Sequence, residues 1–241
     1  MFRIDPSTAS AEDMRRWRAH YYANISLIDE GIGKILAALE AHGTLENTLI
    51  IFTSDHGDAL GDHGLPFKGY FYESMAHVPM IVRGPHAPDG QRRATAGGRC
   101  ASVVSGLDVV ATFFDVCGVQ APKTVQGKSL TPLLEDPMAS THDVVFCEIT
   151  GRVMVTDGQW KYCHYVTGEA ELYDLTVEAP QMEVENLAGR PEVAQVESRL
   201  RARLLEHWLQ NQHTQQMATS VPQHPFRVAL EKAYKQERGQ A

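Results

Sequence analysis

The spacing of apolar and polar positions changes character near residue 140. Before that point, helical and strand-like stretches alternate. Apolar residues fall at Met14, Trp17, Tyr21, Ile25, Ile28, Ile32, Ile35, Leu36 and Leu39, and these steps of three and four predict a long helix over 11–42. Ser10 followed by Asp13 resembles a capping box, and Gly43 suits the position just past the helix end. Thr48 to Ser54 reads as a buried strand and Val78 to Val82 as a second, shorter one. Between them, residues 55–76 are rich in Gly, Asp, His and aromatics without periodicity, which predicts a long surface loop of the kind that often carries function. Residues 84–99 also read as loop. Ser105 caps a helix over 106–117 that Gly118 and Pro122 end, and a loop containing Gly127, Pro132 and Pro137 follows.

From about residue 142 the period shortens to two. Val144–Ile149, Arg152–Thr156, Lys161–Val166 and Glu171–Tyr173 predict short strands, with turn signals at Asp157-Gly158 and Thr167-Gly168, and together an antiparallel meander. Pro191 opens a helix reaching about Gln210. Its Val193, Val196, Leu200, Leu204, Leu205, Trp208 and Leu209 form one stripe able to cover a face of that meander. The remainder is polar, with a short helix expected near 226–237. The expected organisation is an α/β part over 1–140, a small sheet-plus-helix unit over 141–215 and a polar tail over 216–241.

Composition narrows the function classes. The 241 residues are 43% hydrophobic and 22% charged, ordinary globular usage. No apolar run approaches the roughly 18 residues of a membrane span, so no membrane partner is expected. A net charge of −8 argues against a general nucleic-acid binder, yet local cations or a metal can still hold an anionic substrate. Cys100, Cys117, Cys147 and Cys163 form no CxxC pair, which argues against a zinc knuckle or a thioredoxin-like motif. They read as small buried thiols, although Cys147 and Cys163, in neighbouring strand segments, are candidates for a disulfide in an oxidising compartment. The first residues lack the apolar core of a signal peptide. The expected location is cytoplasmic if Met1 is the native start, and periplasmic or secreted for a longer parent protein.

The densest chemistry lies at the end of the first strand, in Thr53-Ser54-Asp55-His56-Gly57-Asp58 followed by Gly61-Asp62-His63-Gly64. Sites in open α/β sheets form beyond the carboxyl ends of strands. A carboxylate beside an imidazole suits a divalent cation, and the glycine lets the backbone turn away. The other reading of the same residues is a polar turn whose Asp and His cap local backbone groups. Lys68, in Phe67-Lys68-Gly69-Tyr70, is placed to offer positive charge to an anion, or is a solvated surface lysine. Glu73 and His77 read as residues that satisfy backbone or pair with a neighbour.

Beyond local spacing, an ordered set of segments resembles type I sulfatases of the alkaline-phosphatase-like superfamily. It comprises Asn47-Thr48-Leu49-Ile50-Ile51-Phe52-Thr53-Ser54-Asp55-His56-Gly57, Gly61-Asp62-His63-Gly64, Lys68, Tyr72-Glu73 and His77-Val78-Pro79. It continues through Leu107-Asp108-Val109-Val110-Ala111-Thr112-Phe113-Phe114, Gly127-Lys128-Ser129-Leu130, Trp160-Lys161-Tyr162, Glu171-Leu172-Tyr173-Asp174-Leu175 and Glu185-Asn186-Leu187-Ala188. The resemblance runs from about 20 to 210. It implies a partial alkaline-phosphatase-like sheet with flanking helices, plus a small antiparallel sheet packed on a helix. It implies Asp55 and His56 as metal ligands, Lys68 as a sulfate contact and His63 as a further substrate contact.

The implied metal is calcium, with manganese or a similar ion as the alternative because many sulfatases carry Asn where His56 stands. The implied substrate is a sulfate-ester small molecule or glycan. Related phosphonate monoester hydrolases carry His at that position, so a phosphonate or phosphate ester is the alternative substrate. Two family features are missing. No Cys or Ser lies in the Cys/Ser-x-Pro/Ala-x-Arg motif that yields the formylglycine nucleophile. The nearest match, Ser220-Val221-Pro222-Gln223-His224, ends in His. The paired aspartates that supply other metal ligands are also missing, so the chain resembles the carboxyl-terminal part of a sulfatase. A non-catalytic anion- or metal-binding piece is therefore a third reading, and little or no turnover is expected from the isolated chain.

Overall fold

The structure, a computed structural model, describes residues 9–86, 97–178 and 182–218, the last seven of these as backbone only. The serine motif at 220–224 and the helix expected near 226–237 lie outside the described residues.

Helix α1 spans Ala11–Ala41 and opens with the capping box read from the sequence. Ser10 Oγ accepts the Asp13 amide at 3.1 Å, and the Asp13 carboxylate accepts the Ser10 amide at 3.0 Å and its hydroxyl at 2.6 Å. Those bonds from Ser10 hold the Asp13 carboxyl below its usual range. His42 caps the far end, and Gly43 follows at φ +66°. No residue of α1 is buried. Its first turns are tied down by Trp17, edge-on to Phe67 with centroids 5.6 Å apart, and by Arg18, which reaches Asp62 Oδ1 at 2.9 Å and the Leu60 carbonyl at 3.1 Å.

Strands β1 (Ile50–Thr53) and β2 (Met80–Arg83) pair antiparallel, with Ile51 opposite Val82 and Phe52 opposite Ile81. The stretch at 48–54 reads as a buried strand, but none of its residues is buried. Phe52 is 38% and Ile81 64% exposed, because among the described residues the ribbon has two strands and its outer face lacks a cover. Short helix α2 covers Glu73–Ala76. Helix α3 (Gly106–Val116) starts at Ser105 with a second capping box through Asp108. Asp108 is fully buried and accepts the Ser105 and Lys128 amides at 2.8 Å each and His142 Nε2 at 3.0 Å. Thr112, also buried, donates to the Asp108 carbonyl at 2.7 Å and accepts the Leu130 amide at 2.9 Å. Pro132 sits in the first turn of α4 (Thr131–Glu135), a helix in a stretch expected to be loop.

Strands β3 (Val145–Ile149), β4 (Arg152–Thr156), β5 (Trp160–Tyr165) and β6 (Ala170–Asp174) form the expected meander, in the order β3-β4-β5-β6. After a 3₁₀ turn at Pro191–Val193, helix α5 (Ala194–Ala218) packs on β4 and β5. Val144, Val155, Tyr162, Leu172, Leu200 and Leu204 form the core between helix and sheet. The far part of the α5 stripe, Leu205, Trp208 and Leu209, stays exposed. Register places Cys147 and Cys163 on β3 and β5, each opposite Met154 of the intervening β4. Two strand spacings, roughly 9.5 Å, exceed disulfide reach, and both thiols are free. Burial pushes the Cys163 thiol far up its scale, so it is inert packing.

Alternation gives the sheet its second role. Val155 and Tyr162 face α5, while Met154 and Cys163 face the other way and pack on Phe71, which is 4% exposed. The meander therefore stands between α5 and the segment that follows Lys68.

Candidate functional site

The chain leaves β1 at Thr53 and turns at once. Ser54 Oγ donates to the His56 carbonyl at 2.8 Å, and the His56 amide donates to Asp55 Oδ1 at 3.0 Å. His56 Nδ1 lies 2.7 Å from the Gly57 carbonyl oxygen. A carbonyl only accepts, so Nδ1 carries the proton and Nε2 presents its lone pair. That Nε2 lies 3.3 Å from Asp55 Oδ2, and the Lys68 ammonium bonds to it. Carboxylate, imidazole and ammonium thus meet at one exposed point beyond the end of β1. Asp55 has 82% of its side chain open to solvent.

Backbone pairing brings Lys68 there. The Ala59 amide donates to the Phe67 carbonyl at 3.1 Å and the Gly61 amide to the Leu65 carbonyl at 3.0 Å. The fold-back passes through left-handed conformations at Leu60 (φ +47°), Gly61 (+92°) and His63 (+53°). Gly57 serves a different purpose from the sharp turn expected of it. A Cβ there would fall 2.1 Å from the Ser74 carbonyl oxygen, and its amide donates to the Met75 carbonyl at 2.8 Å. Glycine is needed for close approach of two backbones.

The other acidic and imidazole groups are engaged away from this point. Asp58 caps the turn by accepting the Leu60 amide at 3.0 Å, and Asp62 pairs with Arg18. His63 stacks on Tyr72, centroids 3.8 Å apart and planes 6° apart. Among the described residues, no group of three or more His, Cys, Asp or Glu is gathered for a metal ion. Asp55 and His56 therefore bring two potential donor atoms to this point, 3.3 Å apart.

Glu73 and His77 pair with each other. His77 Nδ1 lies 2.8 Å from Glu73 Oε2, and the Lys161 ammonium bonds to Glu73 Oε1. Lys161 is 1% exposed and also donates to Glu183 Oε1 at 2.9 Å and to the Phe71 carbonyl at 2.7 Å. Glu183 Oε2 accepts the Glu73 amide at 2.6 Å. Arg152 donates to the Gly69 carbonyl at 2.5 Å, its guanidinium 4.4 Å from the Tyr70 ring centroid. Sequence reasoning assigned no role to Arg152, Lys161 or Glu183. A signal for Lys161 existed: in Trp160–Tyr165 both alternating sets carry apolar residues, so a lysine inside must be paired. Nearby, burial first and Glu171 second raise the Tyr72, Tyr165 and Tyr173 phenols, which stay protonated.

Comparison with known proteins gives a consistent result. The sequence model of the family described as Sulfatase matches residues 3–119. A choline-sulfatase of Rhizobium meliloti is 35% identical over 188 residues, covering 75% of this chain and 35% of that protein. Arylsulfatase K of Xenopus laevis is 33% identical over 210 residues, covering 79% and 38%. A solved structure bound to its substrate D-glucosamine-2-N,6-O-disulfate superposes with TM-score 0.69 at 31% identity, covering 80% of this chain and 40% of that one. The phosphonate monoester hydrolase of Agrobacterium radiobacter superposes with TM-score 0.71 at 29% identity, covering 85% and 43%. The chain spans between about a third and two fifths of the curated relatives' length.

Proposed function

Since the chain belongs to the sulfatase family, we propose that it forms the metal- and anion-binding part of a hydrolase acting on sulfate esters. The observation that supports this most directly is the convergence of Asp55, His56 and Lys68 beyond β1. Hydrolysis here breaks the bond between sulfur and the ester oxygen; water supplies the new oxygen on sulfur and a proton for the departing alcohol. The chain's own part is electrostatic. Asp55 Oδ2 and the lone pair of His56 Nε2 would hold a divalent cation, and the proton on Nδ1, kept by the Gly57 carbonyl, fixes which nitrogen is offered. When bound, such a cation lowers the charge on sulfate oxygens and on the attacking group. Lys68 would pair with a sulfate oxygen, leaving His56 as the anion enters.

One hard oxygen and one imidazole nitrogen suit manganese or a similar ion at least as well as calcium. Because the formylglycine motif has no match here, the nucleophile belongs to sequence outside these residues in this reading. A phosphonate or phosphate monoester is the second reading, favoured by His56 together with the 29% identity to a phosphonate monoester hydrolase.

The test is an aryl-sulfate assay on the purified chain, co-expressed with a formylglycine-generating enzyme, beside metal analysis after dialysis against trace manganese or calcium. Little or no turnover is expected, with metal retained by the wild type and lost in Asp55→Ala. Equal metal content in both proteins would sink the ligand assignment. Turnover that vanishes in Asp55→Ala would show a nucleophile within the chain.

A further inference from the structure

Lys68 is a flexible side chain on an exposed loop, so something must hold its backbone for the ammonium to reach His56 reliably. The local turn accounts for the stem up to Phe67, whose carbonyl is bonded to the Ala59 amide. The C-terminal sheet holds the residues on the other side of Lys68. Gly69 stands at φ +120°, and its carbonyl accepts Arg152 of β4. Tyr70 lies under the guanidinium of that arginine, which also sits 5.8 Å from the Tyr165 ring centroid. Phe71 packs against Met154 and Cys163, and its carbonyl accepts buried Lys161 of β5. Two cations on one face of the sheet therefore grip alternate carbonyls, 69 and 71, of the segment leaving Lys68. The Glu73 and Glu183 carboxylates fix Lys161 in turn.

We propose that Arg152 and Lys161 are positioning residues for Lys68, making the C-terminal sheet part of the anion site rather than a neighbour of it. The assignment rests on the reading of Lys68 as the partner of the anion. Gripping the backbone matters because a misplaced charge loses much of its effect, and a shift of about 1 Å costs up to roughly a hundredfold in well-organised sites.

The experiment uses the full chain and two readouts. One is the response of the Lys68, Gly69 and Tyr70 amides to inorganic sulfate in ¹H–¹⁵N spectra. The other is hydrogen exchange at the Ala59 amide, which reports the loop's seat without any anion. Arg152→Met is the main variant, because it leaves Lys161 and its two carboxylate partners in place. It is expected to weaken the sulfate response and to accelerate Ala59 exchange, each about tenfold, with the urea midpoint of the sheet near wild type. Arg152→Lys, which can still reach the Gly69 carbonyl, should restore most of both. If Arg152→Met folds poorly, Tyr70→Ala removes the ring under the guanidinium without touching the sheet and should show the same two losses.

Wild-type sulfate response and wild-type Ala59 exchange in Arg152→Met would overturn the proposal. The anion reading is tested apart from it by Lys68→Met. A sulfate response surviving in that variant, or absent from the wild type while Arg152→Met still loosens Ala59, sinks the reading of Lys68 and leaves the grip on the loop standing.

Discussion

The ribbon of β1 and β2 with α1 and the meander with α5 have similar raw materials and opposite outcomes. Both offer β-branched strands and a helix with an apolar stripe. In the meander the near part of that stripe is used: Leu200 is fully buried, Leu204 is 8% exposed, and Val155, Tyr162 and Leu172 are 0–1% exposed beneath them. In α1 the stripe is used only in part: Trp17 packs on Phe67, but no residue is fully buried, Ile25, Ile28 and Ile35 are between 47% and 62% exposed, and Ile81 of β2 is 64% exposed. Each buried Leu or Ile contributes about 1.5–3 kcal/mol, so the two regions differ in how much of their apolar content stabilises anything. Secondary structure follows local pattern; stability follows whether a second surface arrives. The candidate site draws on both regions, taking Asp55 and His56 from the first and the hold on Lys68 from the second.

The largest effect is expected at the buried cation of the well-covered region. Lys161→Met leaves Glu73 and Glu183 facing each other without their ammonium, and urea unfolding should show a loss of about 3–5 kcal/mol. A loss under about 1 kcal/mol would mean that water reaches the pair and that the region is looser than its burial indicates.

A smaller effect belongs to Asp157, which joins the meander to α5. Burial pushes its carboxyl up, but amide donors at Trp160 (2.7 Å) and Gln159 (3.0 Å) and the Arg199 guanidinium (2.6 Å) outweigh that and leave it lowered. With the folded value below the unfolded one near 3.8, the stabilisation is complete above that value and fades as pH falls through the lowered one. Asp157→Asn should cost about 1 kcal/mol near neutrality, with the gap to wild type closing in acid. A gap unchanged across the titration would remove the ionic part of this account.

The smallest effect is expected on the exposed apolar surface. Ile28→Ser and Ile81→Ser should each change stability by no more than about 0.5 kcal/mol while reducing self-association in sedimentation experiments. Destabilisation above about 2 kcal/mol in either would show that these faces are covered in solution, and the contrast between the regions would disappear.

The parts legible in the sequence are those fixed by near neighbours. The Ser10–Asp13 and Ser105 caps, the alternation of β3 to β6 and the Asp-His pair at the end of β1 are all written within a few residues. The features that escaped depend on groups far apart in sequence. Asp108 looks like an ordinary capping acid until Lys128 and His142 are seen to close over it. The strand pattern around Lys161 asks for a partner, but the partners, Glu73 and Glu183, come from far away on either side in sequence. The idea that Cys147 and Cys163 could pair failed for a different reason: the meander read from the sequence already sets Arg152–Thr156 between their strands, and the structure keeps that order. Burial of the first strand failed because its pattern states what the strand would accept as a cover.

The grip of the sheet on the segment after Lys68 also sets a schedule. Gly69 waits for Arg152, 83 positions later, and Glu73 for Lys161, 88 positions later. A ribosome adding about 5–20 residues per second needs roughly 4–18 s to cover the longer gap. Through that interval the Asp-His pair has left the ribosome while the lysine beside it has no fixed seat. The site is thus completed only after the sheet that follows it in sequence has been made, and a slowdown of translation between residues 73 and 161 lengthens the time its glycine-rich loop spends open to proteases and chaperones.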